Sequence, residues 1–65
     1  RAEALAAVEA EIHTLEEKLE TLSKAMEVAT QTESVGKIQT ISIEYATTEQ
    51  SIETLMEKWE AMAHE

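Results

Sequence analysis

The chain has 65 residues, 14 of them acidic and five basic, for a net charge of −9. That length allows one small domain at most, and with no cysteine neither a disulfide nor a thiolate metal site supports it. No apolar run reaches the roughly 20 residues that cross a bilayer, and the excess of acid repels phosphate backbones, with Lys18, Lys24, Lys37 and Lys58 dispersed rather than clustered.

What remains is helix packing or association. Proline is absent, there is one glycine, and Ala, Glu, Leu, Met and Lys dominate, the composition of a helical chain. No leader pattern precedes the first helix, and Arg1 is read as an internal edge, so the chain is expected to be part of a larger protein.

From the start of the chain, apolar residues fall at Leu5, Val8, Ile12, Leu15, Leu19, Leu22 and Met26, with spacings of 3, 4, 3, 4, 3 and 4, and Ala29 adds one step. Such spacing keeps one helix face continuously apolar and marks a coiled-coil seam. A helix is expected over about residues 2–29.

The segment "TQTESVGK" interrupts the pattern, and a turn is expected within about 30–35. Thr30 with Glu33 has capping-box spacing, and Thr32 alone is the other candidate cap for a following helix. Gly36 is the one permissive backbone position and weakens helix locally. The competing arrangement is a single unbroken helix of roughly 95 Å with a phase shift in its seam.

A second run follows at Ile38, Ile41, Tyr45, Thr48, Ile52, Leu55, Trp59 and Met62, with Thr48 its one polar member. Within "QTISIEY" the residues Ile41, Ile43 and Tyr45 alternate with polar ones as in a strand. The 3–4 spacing nevertheless continues far beyond that segment, and a lone strand has nothing to pair with. A helix is expected over about 36–63.

Folding the chain at 33–34 pairs every a position of one run with a d position of the other. The pairs are Leu5–Met62, Val8–Trp59, Ile12–Leu55, Leu15–Ile52, Leu19–Thr48, Leu22–Tyr45, Met26–Ile41 and Ala29–Ile38. Small faces large at Val8–Trp59 and Ala29–Ile38, as interdigitating cores require. The fold expected is therefore all-α, a two-helix antiparallel coiled-coil hairpin, with Trp59 as a core wedge at its open end.

Residues with chemical potential are few. His13 and His64 fall at outward positions, and Glu9–His13–Glu17 is an i, i+4 series of the kind that glutamate-rich surface helices produce by chance. The chain has no glycine-rich phosphate loop and no nucleophile with a partnered histidine, and carboxylates on a convex rod are not opposed across a cleft. No catalytic, cofactor-binding or metal-ligating residue is assigned, and the chain is read as non-enzymatic. Glu9, Glu16 and Glu49 share one flank without a lysine or arginine, which is either solvated or shaped for a basic partner. Ile43 and Met56 lie outside the seam and are the candidate partner contacts.

The ending "LMEKWEAM", preceded by "YATTEQSIET", resembles the C-terminal domain of ABC-F ATPases of the Uup type. The residues carrying the likeness are Glu57, Lys58, Trp59, Glu60 and Met62, together with the first-helix stretch "EAEIHTLEEKLETLSKAM". The resemblance implies a hairpin at the end of a cytoplasmic protein whose two upstream cassettes bind ATP and Mg, and which is similar to factors acting on the translating ribosome. It implies an accessory role, contacting or positioning the parent's ATPase domains, the ribosome or nucleic acid. The net charge disfavours direct phosphate contact. A monomer without membrane contact is expected, and the alternative function is a homo-oligomerisation module joined through Ile43 and Met56.

Overall fold

A computed structural model describes residues 2–64. Helix α1 spans Ala2–Gln31 and helix α2 spans Val35–Ala63. They pack side by side into a rod of 48 × 14 × 11 Å, close to the ~45 Å expected of a 30-residue helix at 1.5 Å per residue. The chain therefore folds back as a helical hairpin, and the single long helix is excluded. The strand-like segment 39–45 is helical throughout, because the seam it belongs to extends through the whole of α2.

Burial follows the 3–4 stripe. Val8, Leu22, Ala29 and Ile52 are buried, and Leu5, Ile12, Leu15, Leu19 and Met26 are half-buried beside them. On α2 the half-buried set is Ile38, Ile41, Tyr45, Leu55 and Met62. Met26 shares a surface depression with Ile41 and Tyr45, Leu19 with Ile52, and Ile12 with Met56 and Trp59. Numbers rising along α1 meet numbers falling along α2, so the helices run antiparallel. Each helix has one neighbour, and a seam of this kind leaves both flanks of the apolar stripe open to water.

Thr48 is the polar member of that seam and is only 3 % exposed. Its hydroxyl donates to the carbonyl oxygen of Glu44 at 2.7 Å, so burial leaves no unmet hydrogen bond. A threonine is tolerated at a core position because the preceding helical turn supplies its acceptor.

The turn is a Schellman motif fused to the start of α2. The amide of Ser34 donates to the carbonyl of Ala29 at 2.9 Å and that of Glu33 to the carbonyl of Thr30 at 3.2 Å. Glu33 takes the left-handed conformation the motif needs, with φ 55°. The Thr32 hydroxyl turns back onto α1, donating to the carbonyls of Val28 at 2.9 Å and Ala29 at 3.3 Å. Neither expected cap of the second helix is used: Thr30 is still inside α1, and Thr32 serves the end of α1. The N-cap of α2 is Ser34, whose side chain makes no capping bond, while its carbonyl accepts the amide of Ile38 at 2.9 Å. Gly36 lies within α2 without a positive φ and does not form the bend.

Trp59 departs from the expected wedge. It keeps 36 % of its surface exposed, more than any other seam residue among those described. A two-helix seam covers only the faces turned toward the partner, and an indole is wider than that contact. Its exposed part borders a depression on the flank of the rod shared with Ile12 and Met56.

Candidate functional site

Chemistry built on polar side chains is sparse. His13 Nε2 lies 3.2 Å from Glu17 Oε1 with both side chains well exposed, and Lys24 Nζ lies 3.6 Å from Glu20 Oε1. Pairs this exposed, spaced i, i+4, contribute a few tenths of a kcal/mol at most. Among the described residues no group of three His, Cys, Asp or Glu side chains is arranged to hold a metal ion. Glu9, His13 and Glu17 therefore form no ligand set. No described helix is long and apolar enough to cross a membrane.

The flanks carry more. One edge of the rod has a shallow, open groove along its length. Nearest the turn its walls are Ser23 and Ser42, with Tyr45 and Met26 below them. Midway, Glu16 and Glu49 flank Leu19 and Ile52. Toward the open end, Glu9 and Glu60 flank Ile12, Met56 and Trp59. Glu49 borders the first two stretches, and Met56 and Glu60 border the last two, so the three adjoin end to end along one edge. The heptad register accounts for it: Glu9, Glu16, Ser23, Ser42, Glu49 and Met56 all occupy the same flanking position of their helices, and in an antiparallel pair those positions lie on one edge.

The sequence places Glu9, Glu16 and Glu49 on this edge, and the structure adds Glu53, Glu57 and Glu60. The apolar residues differ from expectation. Met56, 46 % exposed, and Trp59 meet in the groove. Ile43 is 68 % exposed but is not among the residues lining it, so the two candidate partner contacts do not form one surface. Val28 and Val35 are also exposed, near the turn. Each stands off the 3–4 spacing, and that is the signal that marks it in the sequence.

The opposite edge has a different charge. The register places Glu11, Lys18, Lys37, Glu44 and Lys58 there, both signs interspersed. Lysine lines neither of the two groove stretches toward the open end, while Glu9, Glu16, Glu49, Glu53, Glu57 and Glu60 all do. The rod is thus electrostatically two-sided, with its acid concentrated beside its exposed tryptophan.

No curated protein and no solved structure is significantly similar to the chain. A family model does match, over residues 1–64, which takes in both helices, the turn and the Trp59 segment. The chain belongs to the ABC transporter C-terminal domain family.

Proposed function

We propose that this hairpin is a non-catalytic accessory domain of a cytoplasmic ABC-F ATPase of the Uup type, which contacts or positions partner domains. The family match over residues 1–64 carries the reading, and the Glu57-Lys58-Trp59-Glu60 context supports the subtype. ATP and Mg are assigned to cassettes elsewhere in the parent: this chain has one glycine and no phosphate loop, and among the described residues no three acidic or histidine side chains are arranged to hold a metal ion. Ribosomal contact, if made, would run through protein, because the charge of −9 opposes phosphate contact. Homo-oligomerisation draws support from the exposed Ile43, but each copy would bring the same negative charge to the contact.

Removing the hairpin from its parent tests the reading. ATP hydrolysis by the cassettes should survive within about two-fold, while the parent's cellular function is lost. Loss of hydrolysis in a truncated protein that still binds ATP would contradict an accessory, non-catalytic role.

A further inference from the structure

The groove that ends at Trp59 is an apolar strip with no covering element. Trp59 is 36 % and Met56 46 % exposed, and half-buried Ile12 and Leu19 with buried Ile52 continue the strip toward the turn. Exposed apolar surface framed by polar residues marks an interaction site. The frame here has one sign: Glu9, Glu16, Glu49, Glu53, Glu57 and Glu60, six of the chain's 14 acidic residues.

From these observations we infer that the groove docks a basic amphipathic helix of another protein segment. The partner's apolar stripe would seat over Met56 and Trp59 as a third helix against the seam, and its lysines and arginines would reach the carboxylates on either wall. Charge chooses the occupant. A second copy would face six glutamates with six of its own, and nucleic acid would meet them with phosphates; only a cationic partner finds complementarity along the whole strip. The dimensions fit as well: Glu49 to Glu60 spans about 16 Å of α2, roughly three helical turns of the partner. The mixed-charge edge carries Lys18, Lys37 and Lys58, and the depression there, lined by Ala25, Val28 and Lys37, has no glutamate in its walls.

The inference deepens the accessory reading by naming a partner class, and it rests on that reading only for its cellular setting. The groove stands or falls separately, because its test needs the hairpin alone and no ATPase measurement.

Trp59 is the chain's single tryptophan and sits in the groove, so its emission reports occupancy directly. The probe is a synthetic peptide of about 14 residues with leucines at i, i+3, i+4 and i+7 spacing and lysines elsewhere. A blue shift that saturates is expected, with a peptide of the same composition in scrambled order binding at least about five-fold more weakly. Glu53→Gln/Glu60→Gln should weaken binding by about five-fold, and Met56→Gln by at least as much. Glu27→Gln/Glu44→Gln removes the same charge away from the groove and should change affinity less than about two-fold. Circular dichroism confirms that each variant is folded, and the Met56 variant, altered at an exposed position, serves if the charge variants are not. Equal weakening by both double variants, equal binding of the scrambled peptide, or no change in Trp59 emission would overturn the inference. So would tighter binding of single-stranded DNA than of the peptide, or dimerisation of the hairpin that the peptide does not displace.

Discussion

The amide of Ser34 donates to the carbonyl of Ala29 at 2.9 Å, closing the hairpin turn around a left-handed Glu33. A glutamate in that conformation is strained by its Cβ, and glycine is not. Glu33→Gly should therefore stabilise the hairpin by about 1 kcal/mol, raising Tm by about 4–8 °C in a domain of this size. Glu33→Gln keeps the strain, removes only the charge, and should leave the melt nearly unchanged. Thermal denaturation followed by circular dichroism separates the two.

Gly36 poses the reverse case. It lies in the first turn of α2 without a positive φ, and a Cβ added there meets nothing within 4 Å. Gly36→Ala should stabilise by about 0.5 kcal/mol through helix propensity and a less disordered unfolded chain. A melt shifted downward would show that the turn does use its flexibility.

Ser34 is an N-cap by backbone alone. Replacing a bonded N-cap serine with alanine typically costs about 1 kcal/mol. Here no side-chain capping bond is lost, and Ser34→Ala should cost less than about 0.5 kcal/mol. A larger loss in urea denaturation would mean that the hydroxyl caps α2 in solution.

The seam residues should not weigh equally. Ile52 is 8 % exposed, and truncation to alanine is expected to cost about 2–4 kcal/mol. Trp59→Ala removes a larger side chain, but one open to the groove, and should cost less than Ile52→Ala despite its size. Thr48→Val keeps the shape of a buried side chain and removes a hydroxyl whose acceptor, the Glu44 carbonyl, belongs to the same helix. Its stability should match or exceed that of the parent chain, by up to about 1 kcal/mol. Equilibrium denaturation of the three variants tests the order.

Much of this hairpin is legible in the sequence, because an unbroken 3–4 spacing from Leu5 to Met26 and from Ile38 to Met62 leaves one helix face to bury. The β-branched cluster around Ile41 and Ile43 did not alter that outcome, since seam burial outweighs local strand preference. The turn chemistry was less readable. Gly36 is the permissive residue of the segment, yet the left-handed position falls on Glu33, and no side-chain preference of glutamate announces it. Thr32 has the right chemistry for a cap but serves the helix behind it. The groove was half visible: the shared flank of Glu9, Glu16 and Glu49 follows from the register. The projection of Trp59 beside Met56 depends on how far an indole overhangs a two-helix seam, and that is a matter of three-dimensional shape.

The groove exists only if α1 and α2 fold against each other within one chain, and an intramolecular distance tests that most directly. Ala6 and Ala61 are exposed near the open end, and the chain has no cysteine to compete for labels. Spin labels on Ala6→Cys/Ala61→Cys, diluted with unlabelled chain, should give one narrow distribution below about 30 Å, as helix axes 8–10 Å apart require. A distribution centred near 80 Å, the length of a continuous helix between those positions, would contradict the hairpin and the docking surface built on it.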